Sequence, residues 1–301
     1  MNYVAMLSIT DALANVIANM TQGITDWIRN ILIESIQGWL IVMFADSGSL
    51  AGTGLVSNLS VSVDLIKALP ESWNTSIFNI IRTMTETAIM PVAALILAYV
   101  IAYDLIQMVI DKNSMHDIDT FMFFKWALKT YILILICTNA FTIANAIFEV
   151  GADLVNQGAQ AISTSVVLSP DLTAGLDNMS IGELLIMFLQ TVFAFLLLLL
   201  LSLGILIVSY GRLIEIYLYL SVAPIPLATL GNREWGQVGT NYIRALIALA
   251  LQGFLMIVCY GIYAGLISSL TNIISIIMCT AVLFFTLLKT GSISKSILNA
   301  H

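Results

Sequence analysis

The residues that could do chemistry lie mostly in one stretch, Tyr210 to Arg244, YGRLIEIYLYLSVAPIPLATLGNREWGQVGTNYIR. Within it, Arg212 and Glu215 are three residues apart, so on a helix they share one face and can form an ion pair. Such a pair lowers the cost of placing either charge at the inner edge of a membrane. Two interpretations are open: the pair anchors a helix at the membrane interface, or it acts in gating or partner docking.

A glycine-rich turn follows in the same stretch. Gly231, Gly236 and Gly239 surround a short polar sequence, Asn232-Arg233-Glu234-Trp235. Glycine spacing of this kind can let backbone N–H groups cradle a phosphate. Because acidic and arginine side chains both lie nearby, we interpret the turn instead as a shaped docking surface for a partner.

Catalytic and metal-binding patterns are missing from the sequence. It contains no Walker-type phosphate loop, and neither of its two histidines is a plausible partner for a Ser, Cys or Thr nucleophile. His116 lies beside Asp117 and Asp119, which a solvated turn explains better than a metal site. We expect no enzyme activity, no metal and no cofactor. The three cysteines have no ligand-like spacing and are expected to be small core residues: Cys137, Cys259 and Cys279.

The composition is that of an all-α polytopic membrane protein. Hydrophobic residues make up 59% of the chain and charged residues 10%, with a mean hydropathy of +0.98; soluble domains carry about 25% charged residues. The net charge of −7 argues against a protein whose main surface grips nucleic acid. Apolar runs predict a transmembrane domain over residues 84–301 with five spans, at about 84–110, 126–148, 184–211, 245–267 and 273–288.

Two prolines interrupt the apolar segment between the third and fourth spans. Pro224 and Pro226 each lack an N–H and disfavour helix in the preceding residue, so we expect a bend near Ala223-Pro224-Ile225-Pro226. Lipid cannot satisfy the carbonyls that such a break frees, so the segment must be buried in protein or line a cavity. We predict a re-entrant or inner-interface hairpin over residues 213–230.

The basic residues orient the spans. If the hairpin enters and leaves on one side, eight of the 11 basic residues fall on that side: Lys112, Lys125, Lys129, Arg212, Arg233, Arg244, Lys289 and Lys295. Positive charge marks the cytoplasmic side, so the N-terminus is predicted outside and the C-terminus in the cytoplasm. Residues 149–183 then form an outer loop, and a loop of that length is typical of an exposed functional segment.

Residues 1–83 are expected to form an outward-facing region of amphipathic helices and linker. From Ile24 to Phe44, apolar residues recur at helical spacing, largely opposite polar ones. The stretch from Asp46 to Ser60 is rich in small residues and predicts a linker. Pro70 opens the helix that leads into the first span. The pattern leaves open whether the N-terminal helices cross the bilayer.

Small residues in the fourth span predict close helix packing. Gly261 and Gly265 form a GxxxG pattern, which lets another helix approach closely. That helix belongs either to the same subunit or to a neighbour. Spans three to five lack the deep polar residues that a single-chain pore would need, so we expect a homo-oligomer around a central axis.

The stretch that starts at Tyr210 and continues into the fourth span resembles the TrbL-like polytopic membrane proteins of conjugative type IV secretion systems, especially those of Gram-positive mobile elements. The resemblance rests on Tyr210-Gly211-Arg212, the Ala-Pro-Ile-Pro break, the turn Asn232-Arg233-Glu234-Trp235, and a return helix with Arg244 and Gln252-Gly253.

The resemblance implies a channel or platform subunit at the bacterial cytoplasmic (inner) membrane. Its expected partners are the cytoplasmic ATPases of the machine, stalk or cell-wall components outside, membrane lipid, and, transiently, single-stranded DNA bound to a relaxase. Two alternatives are a secondary transporter of a small solute and a holin-like or accessory membrane protein. A transporter should show paired halves around a central site, and we see no repeat between halves here.

Overall fold

The computed structural model describes residues 2–44, 55–110, 120–161, 175–270 and 272–300, and for residues 2–11 the backbone alone. Across these ranges the regular structure is entirely helical, which confirms the all-α prediction. The bounds of the α-helices are α1 Asn2–Phe44, α2 Leu55–Lys67, α3 Pro70–Trp73, α4 Thr75–Met84, α5 Met90–Ile110, α6 Thr120–Thr138, α7 Ala140–Ala161, α8 Ile181–Val222, α9 Pro224–Ala228, α10 Gly236–Ile267 and α11 Ile273–Ile297.

Two short helices of other types accompany them. A π-helical turn, Thr85–Ile89, joins α4 to α5, and a 3₁₀ turn, Leu176–Asn178, precedes α8. The π turn lies just before Pro91, whose missing N–H disturbs the regular ladder of the first turn of α5. The chain therefore stays helical from Thr75 to Ile110.

Five helices in the described part of the chain are long and apolar enough to cross a bilayer, in agreement with the predicted number of spans. Their large apolar side chains are widely exposed in the isolated chain, as a lipid-facing surface requires. The five are Thr75–Ile110, Thr120–Thr138, Ile181–Val222, Gly236–Ile267 and Ile273–Ile297.

The chain divides into two compact units. The first comprises Met1–Leu59, Val166–Leu203 and Gly265–Ala281. Within it, the ring of Trp39 packs on that of Phe195 with centroids 4.9 Å apart. A buried hydrogen bond of 2.9 Å joins the Asn58 amide to the Ser202 hydroxyl.

The second unit, comprising Ser60–Ser165, Gly204–Ala264 and Val282–His301, contains the predicted hairpin. Its core is formed chiefly by α7, α8 and α10. Helices α8 and α10 run in opposite directions, and near the turn the Tyr242 hydroxyl donates to the Tyr219 carbonyl at 2.7 Å. Helix α7 lies close against α10, since a Cβ on Gly151 would stand only 2.8 Å from that of Ala250. Helix α11 runs parallel to α8, and a Cβ on Gly204 would stand 2.7 Å from the Phe284 ring.

The helix bounds differ from the predictions in several places. The predicted outer loop, 149–183, is wrong in its first part, because α7 stays helical to Ala161 with its small residues packed against α10. Residues 55–60 begin helix α2, although the sequence predicts a linker there. The predicted second span, 126–148, is divided at Asn139 into α6 and α7, and the Asn139 side-chain amide donates to the Leu135 carbonyl. Helix α8 continues past Gly211 to Val222 because Arg212 and Glu215 are good helix formers.

Candidate functional site

The candidate site starts at the two prolines that separate α8 from α9. Helix α8 ends at Val222, and α9 starts with Pro224 at its first position, where a missing N–H costs little. The Leu220 carbonyl, which Pro224 cannot reach with a hydrogen bond, accepts the N–H of Ala223 at 3.3 Å. The Pro226 carbonyl accepts both the N–H and the hydroxyl of Thr229, at 3.2 and 2.8 Å. The Leu220 carbonyl that Pro224 leaves free is thus satisfied inside the protein, as a proline break in a membrane protein requires.

Helix α9 is enclosed by protein. Pro224, Pro226, Leu227 and Ala228 are all buried. The helix packs against α5 and α6, and one apolar cluster joins Ala228 to side chains of both: Ala93, Leu97, Leu133 and Cys137. In the described residues, the bend between α8 and α10 is therefore packed against other helices of the same chain.

The turn after α9 is shaped by one buried asparagine. The Asn232 side-chain oxygen accepts the backbone N–H groups of Glu234 and Trp235 at 2.7 and 3.1 Å, and its carbonyl accepts that of Gly236 at 2.9 Å. Asn232 is only 6% exposed. This cap fixes the entry into α10 and projects Arg233 outward, where it is exposed.

The glycines of the turn serve close packing. A Cβ on Gly231 would stand 2.1 Å from a methyl group of Leu133, and one on Gly239 would stand 2.6 Å from the Pro226 carbonyl oxygen. None of these glycines has the positive φ that an anion-binding nest needs; among the described glycines, only Gly175 has one. Two of the N–H groups in the turn are already taken by Asn232. This geometry favours a docking turn over a phosphate cradle.

Aromatic and polar contacts tie the turn to α5. The Trp235 ring stacks on Tyr99 with centroids 5.5 Å apart, and Tyr99 stacks on Tyr103 at 6.1 Å. The Tyr103 hydroxyl donates to a Glu234 carboxylate oxygen at 2.9 Å. Trp235 still exposes 45% of its surface. Sequence reasoning missed Tyr99 and Tyr103, which lie one helical turn apart on a predicted span and carry no motif.

Arg212 and Glu215 each have a partner from another helix. Arg212 is 5% exposed, and its guanidinium donates to the Ile66 carbonyl at 3.3 Å. Glu215 accepts from Lys295 of α11 at 3.3 Å. Each residue thus has a hydrogen-bond partner from another helix, and Glu215 also attracts the Arg212 guanidinium electrostatically, as their spacing predicts. A Cβ on Gly253 would stand 2.4 Å from an Arg212 nitrogen, so this glycine makes room for the buried guanidinium.

A row of polar contacts joins α2 and α3 to α8 and α10, although the sequence predicts an outward-facing region over residues 1–83. In the second unit, the Ser62 hydroxyl lies within hydrogen-bonding distance of Ser209 and, at 2.6 Å, of Tyr260. The Tyr217 hydroxyl donates to the Pro70 carbonyl at 2.6 Å. Asn58 and Ser62 are four residues apart and therefore share one face of a helix, a spacing that could have indicated a buried polar face on α2.

The remaining predicted site residues lie on α10. Arg244 is half-buried in its first half. Gly265 is exposed, and no described atom comes within 4 Å of a Cβ built on it, whereas Gly261 is half-buried. His116, with Asp117 and Asp119, lies outside the described residues. Within the described ranges, no group of three His, Cys, Asp or Glu side chains could hold a metal ion.

The family model described as "TrbL/VirB6 plasmid conjugal transfer like protein" matches residues 56–224, more than half of the chain. The chain belongs to the TrbL/VirB6 family. The match runs from α2 to the first residue of α9, so the family is shown entirely by residues that precede the turn Asn232–Trp235. No curated protein and no solved structure matches the chain. Membership of the TrbL/VirB6 family points to a component of conjugal transfer by type IV secretion.

Proposed function

We propose that the chain is a channel or platform subunit in the cytoplasmic membrane, which helps to pass relaxase-bound single-stranded DNA or protein. Family membership and the five apolar helices support this proposal. The observation that carries it is the buried α9, which fixes the turn Asn232–Trp235 against α5 with Arg233 and Trp235 exposed. A plain membrane anchor has no need of a rigid turn with an exposed cation and indole.

We further propose that this turn faces the cytoplasm, with the N-terminus outside and the C-terminus inside. Arg233 lines one cavity together with Lys125 and Lys129, so three residues of the predicted cytoplasmic set lie side by side. That neighbourhood supports a hairpin that returns to the side it entered from. Single-cysteine labelling in intact cells tests the orientation, in a background without the native cysteines. Strong labelling of position 233 by a membrane-impermeant reagent would contradict it.

The proposed partner at the turn is a cytoplasmic ATPase of the secretion machine, with stalk or cell-wall components on the outer face. Arg233 is exposed on a turn that three contacts hold in shape, as a docking contact requires. Arg233→Glu is expected to weaken copurification of the ATPase, because it reverses the charge at the contact. Gln237→Glu, on the exposed first turn of α10, adds one negative charge nearby and is the control.

The test of function is conjugation itself. Pro224→Ala combined with Pro226→Ala restores two N–H donors and lets α8 extend into α9, which displaces the turn. We expect lower mating efficiency at unchanged abundance in membrane fractions. Normal mating by this variant and by Arg233→Glu, at normal abundance, would remove the support for a docking role and favour a secondary transporter or an accessory membrane protein. The chain carries no proposed enzymatic step.

We also propose that subunits assemble as a homo-oligomeric ring. Gly265 lies on a surface of α10 that the described chain leaves uncovered, so a second subunit could approach closely there. The sequence left open whether the GxxxG pattern packs within or between subunits. The exposure of Gly265 supports a contact between subunits, which native-gel size can test.

A further inference from the structure

The first half of α1 carries a stripe of exposed apolar side chains. Successive members are four, three, four, three and four residues apart, and each exposes between 41% and 64% of its surface: Leu13, Ile17, Met20, Ile24, Trp27 and Ile31. Alternating steps of three and four residues place them along one side of the helix, over about 27 Å. This is the spacing of positions a and d in a coiled coil.

The same spacing extends to the start of α1 in the sequence. Tyr3, Met6 and Thr10 continue it, so the pattern from Tyr3 to Ile31 covers four heptads and is interrupted only by the threonine. A pattern of that length is typical of a coiled coil. It ends at Glu34, which takes the next d position, just before the second half of α1 becomes buried.

The rest of the described chain leaves this half of α1 uncovered. Residues 12–24 are all exposed, whereas Ile36, Leu40 and Met43 in the second half are buried. A helix without packing is marginal in water, because most helical stability in proteins comes from burial of an apolar face. The stripe therefore needs a covering partner, which can be lipid or another helix.

The polar residues of α1 favour a helix over lipid. A helix that lies on a bilayer has a strongly charged polar face that is rich in Lys and Arg. Helix α1 contains no lysine and a single arginine, Arg29, and the side opposite the stripe carries uncharged Asn15, Asn19 and Gln22. This face gives little attraction to lipid headgroups, and the stripe at positions a and d is the seam that a second helix fits.

A second copy of this chain suits the seam. Copies in one membrane share their orientation and height, so their α1 helices run parallel and in register. The a positions are all isoleucine, at 17, 24 and 31, and β-branched residues at a suit parallel coiled coils. No charged residue occupies the flanking e and g positions, so identical helices meet no like-charge repulsion there: Ala14, Val16, Thr21, Gly23, Ile28 and Asn30.

We propose that α1 pairs with the same helix of neighbouring copies as a parallel, in-register coiled coil. The inference rests on the proposed homo-oligomer, but it uses a different helix from the Gly265 face and adds the direction and register of the contact. The a and d side chains of one copy cover those of the next. The exposed stripe is thereby buried without any other protein.

Disulfide cross-linking of the full-length protein in membranes tests the seam, in a background without the native cysteines and with copper phenanthroline as oxidant. Ile17→Cys and Ile24→Cys place thiols at a positions, and Gln22→Cys places one on the outer side of the same helix. Outer positions of two paired helices are about 20 Å apart, roughly two helix diameters, whereas a disulfide needs Cα atoms within about 7 Å. We expect a cross-linked dimer on non-reducing gels from both seam variants and its loss in Gln22→Cys.

A charge placed in the seam gives a second measurement. Ile24→Asp, combined with Ile17→Cys, puts a carboxylate from each copy at one level of the apolar contact and should abolish the cross-link at position 17. Gln22→Asp in the same Ile17→Cys chain adds the same charge on the outer side and should leave the cross-link unchanged. Both positions are exposed in the single chain, so folded protein is expected from each variant.

The outcomes separate this inference from the proposed ring. Equal cross-linking of Gln22→Cys and Ile24→Cys would show random collision and overturn the seam. Cross-linking at only one of positions 17 and 24 would contradict a parallel register, because an antiparallel pair aligns identical residues at one level alone. An oligomer on native gels without seam cross-links would overturn the coiled coil and leave the ring in place, whereas a monomer would overturn both.

Discussion

Replacing Asn232 with alanine is expected to release the docking turn while leaving the helical core intact. The substitution removes the oxygen that accepts the N–H groups of Glu234 and Trp235, and Asn232 is too buried for water to replace it easily. Loss of a capping side chain costs about 0.5–2 kcal/mol. The α8–α10 core keeps its contacts, and Tyr103 still binds Glu234. We therefore expect a local cost of about 1–2 kcal/mol, confined to the turn.

This local free-energy cost is large enough to give a measurable loss of conjugal transfer. A local penalty of about 1.4 kcal/mol lowers the ratio of ordered to disordered turn roughly tenfold. Mating efficiency should fall by up to this factor, at unchanged abundance in membrane fractions. Asn232→Asp keeps an acceptor oxygen at a helix N-terminus, where a carboxylate is tolerated, and should retain most of the activity. Tyr103→Phe removes the exposed hydrogen bond to Glu234 and should lower mating about threefold or less.

Comparing the two Asn232 variants tests whether the capping hydrogen bonds support the function of the turn. If Asn232→Ala and Asn232→Asp mate equally well, the capping bonds do not support the function of the turn. If Asn232→Ala is lost from the membrane fraction, the bonds stabilise the whole fold instead, and the assumption of a local effect is wrong.

Three further predictions concern packing and assembly. Gly253→Ala should lower the unfolding temperature in detergent, at a cost of about 1–3 kcal/mol, because the new Cβ would stand 2.4 Å from the Arg212 guanidinium; Gly211→Ala on α8, where no atom lies within 4 Å of the new Cβ, is the control. Lys295→Gln should cost less than about 1 kcal/mol in the same measurement, since the Lys295–Glu215 pair exposes 42% and 36% of its side chains. Gly265→Leu should reduce native-gel size without loss of folded protein; an unchanged size would mean that this face of α10 contacts lipid.

Composition and proline chemistry were sufficient to predict the class of fold. The apolar runs predict the helices because a bilayer leaves few other solutions for the backbone. Pro224 and Pro226 likewise predict the end of α8, since their effect on the helix is local and independent of the rest of the chain. The turn residues Asn232 to Trp235 could also be recognised locally, because glycines flank them in the sequence.

The partners of these residues could not be predicted. Spacing along one helix pairs Arg212 with Glu215, but in the folded chain Ile66 and Lys295 supply their contacts. Such contacts depend on which helices are neighbours, and hydrophobic periodicity does not specify neighbours. Helix α2 shows the same limit: its small polar residues resemble those of a linker until the serine and tyrosine hydroxyls that face them are known.

The burial of α9 changes what the docking turn can do. If the turn were a free loop on α8, a partner bound to Arg233 would act on that helix alone. Instead, α9 packs on both α5 and α6, and Trp235 stacks on Tyr99 of α5. A force or a change in shape at the turn therefore reaches these helices through packed atoms, which deform little. The two prolines are what allow α9 to occupy that position, so their substitution should uncouple docking from the membrane helices even where a partner still binds.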